Sequence, residues 1–301
     1  MLHGAEQGIA AEGCEKRILS RPLRMSPFIV AELGASHNGS FNRAVSLIEA
    51  AAEAGADAIK LQTFTPERMV EPDTVIASGP WAGRNALELY RECHTPRDWH
   101  YHLFECAKGL GMTAFSSVFH PDDVDFLETL GCPMYKISSF EITDIPLIRY
   151  AVSKRKPIVV STGMASYEEI MTVAAMGWEQ LTLLKCTSAY PADASDANLL
   201  TMVDMGRLPA VDIGLSDHTL GFSVAVAAVA LGAVMVEKHL TLSRADGGPD
   251  AAFSSEPHEF AAMVKACREA ALALGEVRYG PTPSEMSSLP LRRKPGGNRG
   301  G

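Results

Sequence analysis

The sequence predicts a single (β/α)₈ TIM barrel, an α/β fold, and three observations support this prediction. From Phe28 onward, short β-rich runs alternate with Ala-, Leu- and Glu-rich amphipathic segments, which is the pattern of a parallel sheet with helical crossovers. Eight such units in about 260 residues match the size of this barrel. Each β-rich run also ends in polar side chains, at the end of the strands where a TIM barrel carries its active site.

The eight predicted strands occupy residues 28–33, 57–63, 111–116, 134–138, 157–161, 181–187, 211–216 and 234–239. Between the first two strands, the segment 43–54 predicts a helix, and Gly55 after it is a typical C-cap residue. An open doubly wound sheet would show fewer strands and an early glycine-rich phosphate loop, and neither feature is present.

Composition excludes several classes of protein. The 301 residues are 47% hydrophobic and 21% charged, as in ordinary globular proteins. The formal net charge of −9 argues against nucleic acid as the main partner. We expect no membrane partner, because there is no apolar run of about 18 residues and no secretion signal. Six cysteines without a CxxC pair indicate reduced thiols and a cytoplasmic location.

Alternation along the strands separates the side chains of the lumen from those of the helix layer. In the second strand, Lys60 and Gln62 share one face, whereas Ile59 and Leu61 share the other. The apolar pair is expected to meet the helices. Lys60 and Gln62 are therefore predicted to face the lumen and to contact substrate.

Two histidines end neighbouring strands, the seventh and the eighth. The same alternation places His218 and His239 on the lumen side and turns Lys238 away. Adjacent strands lie about 4.8 Å apart, so both imidazoles can reach one ion. Two imidazoles leave coordination positions open, which suits Mn²⁺ or Mg²⁺ acting as a Lewis acid better than a closed zinc site. Glu237 and Asp217 could orient these ligands, or Asp217 could cap the helix after the seventh strand.

Lys60 and Lys136 each interrupt an otherwise apolar strand. Burying an unpaired ammonium group is costly, so each needs a carboxylate partner or an anionic ligand. Several nearby hydroxyl groups favour an anion site, although a Glu–Lys pair in the lumen is an alternative; these hydroxyls belong to Ser117, Ser139, Ser161 and Ser216. A second alternative is a Schiff base formed by Lys60, Lys136 or Lys185.

Two acidic residues complete the predicted mouth. Glu32 ends the first strand and could bind a hydroxyl group or move a proton. Asp250 ends the glycine-rich loop 243–250, where it could reach a polar substrate or close the turn. The remaining histidines and the three tryptophans are predicted to be structural; the tryptophans are Trp81, Trp99 and Trp178.

Seven segments, in order, resemble the sialic acid synthase family: AELGASHNG (31–39), DAIKLQT (57–63), YKISSFE (135–141), STGMAS (161–166), CTSAYP (186–191), GLSDHTLG (214–221) and EKHLT (237–241). The resemblance runs from about Phe28 to Ser288. The loops GPWAGRNALELY (79–90) and SRADGGPDAAFS (243–254) are most similar to the pseudaminic acid synthase branch of that family.

The resemblance implies condensation of phosphoenolpyruvate with an acylated amino sugar to give a nonulosonic acid and phosphate. In the pseudaminic branch the sugar is 2,4-diacetamido-2,4,6-trideoxy-L-altrose; N-acetylneuraminate or legionaminate synthesis is the alternative. The resemblance assigns metal binding to His218 and His239, and sugar handling to Glu32, Tyr190 and Asp250. It assigns phosphoenolpyruvate to Lys60, Ser117, Lys136, Ser139, Ser161 and Ser216.

The predicted domain organisation has three parts. Residues 1–25 form an N-terminal extension, residues 26–283 the catalytic barrel, and residues 284–301 a truncated linker and disordered tail. Members of the family usually continue into a small antifreeze-like domain that reaches across a homodimer, and we expect that domain to be absent here. The resemblance implies a homodimer. Because the domain is expected to be absent, a barrel that binds phosphoenolpyruvate with little turnover is the alternative to an active synthase.

Overall fold

The computed structural model describes residues 26–293, and in them eight parallel strands close into a barrel in sequential order. This confirms the predicted (β/α)₈ fold. The predicted N-terminal extension, residues 1–25, and residues 294–301 of the predicted tail lie outside the described residues. Between residues 26 and 293, no helix has both the length and the apolar character needed to span a membrane.

Every predicted strand is present, with each end within two residues of its expected place. β1 pairs with both β2 and β8, which closes the barrel. The strands are β1 (Phe28–Glu32), β2 (Ala58–Thr63), β3 (Thr113–Val118), β4 (Tyr135–Ile137), β5 (Ile158–Ser161), β6 (Leu181–Cys186), β7 (Val211–Asp217) and β8 (Met235–His239).

The crossovers between strands carry α-helices, and the crossover from β2 to β3 carries two of them. Within the described range the helices are α1 (Phe41–Glu53), α2 (Ala86–Cys93), α3 (Arg97–Gly109), α4 (Pro121–Thr129), α5 (Ile145–Ser153), α6 (Tyr167–Ala174), α7 (Leu199–Met205), α8 (Ser223–Ala230) and α9 (Pro257–Leu274). Short 3₁₀ helices occur in the loops, and one of them, Pro283–Leu291, lies at the predicted boundary between barrel and tail.

Helix α1 shows how the local sequence builds this layer. The Ser40 side chain caps the helix by accepting a hydrogen bond from the backbone N–H of Arg43. The buried residues of α1 recur at three- and four-residue spacing, so one stripe of the helix packs against the barrel. These buried residues are Ala44, Leu47, Ile48 and Ala51.

Below its polar mouth, the barrel lumen is filled by apolar side chains. Gly214 on β7 lies in this layer, where a Cβ atom would come within 2.5 Å of the Met235 carbonyl oxygen and 2.6 Å of Leu184 Cδ2. A larger residue at position 214 would therefore clash with both neighbouring strands. The tight packing closes the lumen beneath the mouth and leaves only its upper end for a ligand.

A buried ion pair joins the ends of β7 and β8 on the outer side of the barrel. Lys238 Nζ donates to Asp217 Oδ2 at 2.7 Å and to the Thr219 carbonyl oxygen at 2.6 Å, and both charged side chains are 1% exposed. Asp217 Oδ1 accepts hydrogen bonds from the backbone N–H and the hydroxyl group of Thr219. The outward orientation of Lys238 agrees with the strand alternation.

Both roles expected for Asp217 from the sequence are wrong. Its side-chain hydrogen bonds go to Thr219 and Lys238 and not to a histidine. The helix after β7 begins only at Ser223, with no side-chain cap. The acidic side chain is needed instead to neutralise the ammonium group that Lys238 buries behind the strand.

We expect Asp217→Asn to destabilise the fold by about 3–5 kcal/mol, because it leaves a buried ammonium group without its counter-charge. Urea unfolding followed by circular dichroism measures this change. Lys265 and Glu269 on α9 form the matched control, since their side chains are 77% and 65% exposed. Lys265→Ala should leave the unfolding midpoint within error. Equal effects of the two variants would contradict the structural role of the buried pair.

Candidate active site

An ion-pair cluster around Lys60 occupies one side of the mouth. Lys60 Nζ lies 2.6 Å from Glu32 Oε2 and 3.5 Å from Glu237 Oε1, and it donates to Ser117 Oγ at 3.0 Å. Gln62 Nε2 donates to Glu32 Oε1 at 2.7 Å. Burial opposes the charge, but the carboxylates of Glu237 and Glu32 outweigh it and raise the pKa of Lys60. Lys60 is therefore a fixed cation, and the Glu–Lys pair left open by the sequence is present.

Lys136 on β4, one strand beyond the neighbour of β2, has a different environment. Its Nζ donates to Ser161 Oγ at 2.7 Å and to the Ile137 carbonyl oxygen at 3.0 Å. Among residues 26–293 no carboxylate forms an ion pair with Lys136, although the side chain is buried. Burial, partly opposed by the field of Glu237, lowers the pKa of Lys136. An anion bound here would supply the counter-charge that the protein does not.

Buried hydroxyl groups surround the two lysines. The Oγ of Ser139 accepts from the Gly163 backbone N–H at 3.1 Å. The Oγ of Ser188 is buried and has no hydrogen-bond partner in the described part of the chain. A Cβ atom at Gly163 would lie 2.3 Å from Ser188 Oγ and 2.8 Å from Ser139 Oγ, so a larger residue would displace both hydroxyl groups. All four predicted anion-binding serines are buried at this mouth: Ser117, Ser139, Ser161 and Ser216.

The two histidines face each other across the ends of β7 and β8. Their ring centroids are 5.5 Å apart, with 55° between the ring planes. His218 Nδ1 lies 2.8 Å from the Thr187 carbonyl oxygen, and because a carbonyl oxygen only accepts, Nδ1 carries the proton. Nε2 of His218 therefore keeps its lone pair in the neutral ring. His239 Nδ1 is buried and has no hydrogen-bond partner among residues 26–293.

These two rings fit a divalent cation that is held by few protein ligands. A metal-binding histidine commonly donates its second ring N–H to a backbone carbonyl group, as His218 does. The part of the chain that the structure describes contains no group of three or more His, Cys, Asp or Glu side chains arranged to hold a metal. A cation at this position would therefore depend on water and ligand oxygens for its remaining positions.

Asp250 ties the loop after β8 to the loop after β1. Its Oδ2 accepts from the Ala35 backbone N–H at 2.8 Å and lies 3.5 Å from His239 Nδ1. Burial opposes the carboxylate, but His239 and Ala35 outweigh it and lower the pKa of Asp250. A buried, ionised carboxylate therefore stands beside the second histidine.

Tyr190 connects the predicted sugar-handling residues to the histidines. Its ring centroid lies 4.4 Å from that of His218 and 6.4 Å from that of His239. All the site residues predicted from the sequence are thus at one mouth. They are Glu32, Lys60, Gln62, Ser117, Lys136, Ser139, Ser161, Tyr190, Ser216, His218, His239 and Asp250.

The structure adds two residues that the sequence interpretation left aside. Cys186 Sγ lies 3.8 Å from His218 Nδ1; burial opposes its ionisation, but His218 lowers the pKa of Cys186 to about 7. Strand alternation could have found Cys186, because it shares a face of β6 with Leu184, whose side chain lies against Gly214. Trp81, predicted to be structural, packs 5.7 Å from Tyr190. Trp81 lies in the long loop after β2, where no strand or helix periodicity predicts which way its side chain points.

The lysines proposed as Schiff-base nucleophiles differ in their geometry. Lys60 is held as a cation by two carboxylates. Lys185 alternates with the lumen residues Leu184 and Cys186, so it points to the helix layer, and its Nζ donates to the Cys186 carbonyl oxygen at 2.8 Å. Lys136 is the remaining lysine of this type that has both a lumen position and a lowered pKa.

We expect inorganic phosphate to stabilise the protein through Lys136. At a phosphate concentration of 100 times the Kd, the free energy of unfolding should rise by about 2.7 kcal/mol. Lys136→Met removes the unpaired ammonium group, so it should abolish this rise without lowering stability in phosphate-free buffer. Thermal unfolding across a phosphate series, at ionic strength held constant with chloride, measures the effect.

Lys185→Met is the control for the phosphate experiment, because it also removes a partly buried ammonium group from a strand end. This variant should keep the full response to phosphate. A Lys136→Met protein that still responds like the wild type would overturn the assignment of Lys136 as the anion-binding cation.

Comparison with known proteins places this geometry in a family. The family model described as the NeuB family matches residues 47–279. A pseudaminic acid synthase of Helicobacter pylori is 45% identical over 258 residues, which are 83% of this chain and 76% of that protein. An N,N'-diacetyllegionaminic acid synthase of Legionella pneumophila is 36% identical over 291 residues, 92% of this chain and 81% of that protein.

A solved structure agrees with the sequence comparisons. The N-acetylneuraminic acid (sialic acid) synthetase of Leptospira borgpetersenii, in complex with citrate, superposes with a TM-score of 0.79 at 30% sequence identity. The match covers 88% of this chain and 90% of that one. The family model spans most of the barrel, and the H. pylori relative is far above 30% identity over most of its own length. The chain belongs to the NeuB family.

Proposed function

We propose that this enzyme condenses phosphoenolpyruvate with open-chain 2,4-diacetamido-2,4,6-trideoxy-L-altrose to give pseudaminic acid and phosphate. The observation that carries the proposal is the buried ammonium group of Lys136, which donates to Ser161 Oγ and has no carboxylate partner within residues 26–293, at the same mouth as the two histidines. This arrangement suits an anionic substrate bound by Lys136 next to an electrophile, here the aldehyde of the open-chain sugar. The names of the relatives, a pseudaminic and a legionaminic acid synthase, support an acidic nine-carbon sugar as the product.

Phosphoenolpyruvate carries a phosphate and a carboxylate group, and the mouth offers two separate ammonium groups to receive them. Lys136 lacks a carboxylate partner in the described range, so it can neutralise one anionic group without losing an existing ion pair. Lys60 would share its charge between Glu32, Glu237 and the second anionic group. The nearby serines would donate hydrogen bonds to the remaining oxygens.

We propose that His218 and His239 hold a divalent cation, Mn²⁺ or Mg²⁺. Such a cation supplies Lewis-acid polarisation of the sugar aldehyde. The two rings can be brought to one ion because β7 and β8 are neighbours and the Thr187 carbonyl group fixes the His218 tautomer. Asp250, 3.5 Å from His239 Nδ1, would restrain the second ring.

The reaction requires one carbon–carbon bond and one water molecule. The methylene carbon of phosphoenolpyruvate forms a bond to the aldehyde carbon, whose oxygen takes up a proton. Water then adds to the cationic centre and loses a proton, and the tetrahedral adduct expels phosphate to give the ketone. Glu32 is our candidate for orienting the sugar and moving these protons, since Gln62 and Lys60 hold its carboxylate at the mouth.

The same chemistry on a different sugar is the nearest alternative, because the L. pneumophila relative is a legionaminic acid synthase. Legionaminate or N-acetylneuraminate synthesis would use the same anion and histidine groups. We also propose a cytoplasmic location, which the free thiols of the five described cysteines support; these are Cys93, Cys106, Cys132, Cys186 and Cys267.

Phosphate release is the direct test of the proposal. With Mn²⁺ present, phosphoenolpyruvate and the diacetamido-trideoxy sugar should give phosphate and pseudaminic acid, both measured by mass spectrometry. Chelation with EDTA should abolish release, and borohydride should not, because no imine is formed. Faster phosphate release with N-acetylmannosamine would mean that N-acetylmannosamine is the substrate in place of the proposed sugar. Binding of phosphoenolpyruvate without phosphate release with either of the two sugars would mean a binding barrel with little turnover.

Binding of Mn²⁺ tests the histidine pair independently of turnover. His239→Ala should weaken Mn²⁺ binding by more than about 100-fold, because even the outer partners of metal ligands contribute 10–100-fold. Electron paramagnetic resonance titration of free Mn²⁺ measures this affinity. His258→Ala is the control, since that side chain is 75% exposed on α9. Unchanged Mn²⁺ binding by His239→Ala would remove the cation from the proposed site.

A further inference from the structure

Three aromatic side chains form a continuous wall along one side of the mouth, and we call Trp81, Tyr190 and Phe253 the aromatic wall. The Trp81 ring lies 5.7 Å from Tyr190 and 6.2 Å from Phe253, and the Tyr190 and Phe253 rings are 5.0 Å apart. These residues come from the loops after β2, β6 and β8. Side chains that are distant in the sequence thus converge on one surface.

The aromatic wall begins at the histidines. Tyr190 packs 4.4 Å from His218, and Phe253 packs 5.0 Å from His239, measured between ring centroids. Phe253 is only 3% exposed, whereas Trp81 and Tyr190 are partly exposed. Phe253 is therefore the buried base of the aromatic wall, and Trp81 and Tyr190 form its accessible part. Trp81 is the outermost member, farthest from the predicted metal site.

A hydrogen bond fixes the position of Trp81. Its Nε1 donates to the Pro249 carbonyl oxygen at 3.0 Å, next to Asp250. The loop that carries Trp81 closes on itself through a hydrogen bond from Gly83 N to the Ile76 carbonyl oxygen at 2.9 Å. Because the indole N–H is engaged with Pro249, the indole presents an apolar face and no free donor.

The chemistry of the two sides of the mouth differs. The lysines, the serines and Glu32 provide charges and hydrogen bonds, whereas Trp81 provides only aromatic surface. A polyhydroxylated sugar leaves few apolar groups for such a surface. An N-acylated deoxy sugar carries methyl groups on its acetamido substituents and at the deoxy carbon, and these groups pack favourably against an indole face.

We propose that Trp81 determines sugar specificity by receiving the methyl groups of an N-acylated deoxy sugar, which selects this sugar over a hydroxylated N-acetylhexosamine. This inference rests on the proposed function, since it concerns the second substrate of the same reaction. Apolar contacts of this size discriminate between substrates by about 10–200-fold. Trp81 belongs to the binding surface for the sugar and takes no part in bond making.

The test compares two substrates with each of three proteins. For wild type, Trp81→Phe and Trp81→Ala, kcat/KM is measured with 2,4-diacetamido-2,4,6-trideoxyaltrose and with N-acetylmannosamine at saturating phosphoenolpyruvate. The ratio of the two values should fall by about tenfold or more in Trp81→Ala, mainly through KM for the deoxy sugar. Trp81→Phe keeps an aromatic face and should retain most of the ratio.

Trp178→Ala is the matched control, because Trp178 lies before β6 at the opposite end of the barrel and donates to the Val173 carbonyl oxygen at 2.7 Å. It should lower stability without changing the ratio, which separates specificity from misfolding. An unchanged ratio in an active Trp81→Ala protein would overturn the specificity role. A wild-type protein that releases no phosphate with either sugar would instead overturn the proposed function.

Discussion

Four charged side chains are buried at the ends of four strands, and their charges do not fully neutralise one another. The rest of the site is arranged around this imbalance of charge. Lys60 is held between Glu32 and Glu237, whereas Lys136 has only hydroxyl and carbonyl oxygens within the described residues. Glu237 Oε2 is buried without a donor. The tight apolar layer at Gly214 keeps these groups away from solvent below. A barrel mouth that buries charge in this way gains stability when a matching anion enters.

Neighbouring positions in β7 and β8 separate structure from chemistry. Asp217 and Lys238 neutralise each other behind the sheet, and the next residues, His218 and His239, face the lumen. The charges of the outer pair, Asp217 and Lys238, neutralise each other. The inner pair, His218 and His239, still has ring nitrogens that no group among the described residues engages in a hydrogen bond. Strand alternation therefore lets one short stretch hold the two strand ends in register and also present two histidines at the same height.

The sequence alone was enough to predict the features that depend on the alternation of side chains along the strands. The eight strands, the lumen orientation of Lys60 and the shared mouth of the two histidines all follow from alternation along a parallel barrel. It was insufficient where partners come from distant loops. Asp217 was misinterpreted because its partner lies on the next strand. The position of Trp81 could not be predicted because it depends on the Pro249 carbonyl group in a distant loop. Cys186 could have been found from its strand position.

The link between Asp250 and the backbone of Ala35 joins two residues that are 215 positions apart. It lies where β1 meets β8, the last strand to emerge during synthesis. A nascent chain that has not yet delivered β8 contains neither His239 nor Asp250, so it has Lys60 and Lys136 but no complete mouth. Completion of the site therefore depends on contacts of very high sequence separation, which carry a large loop-closure cost.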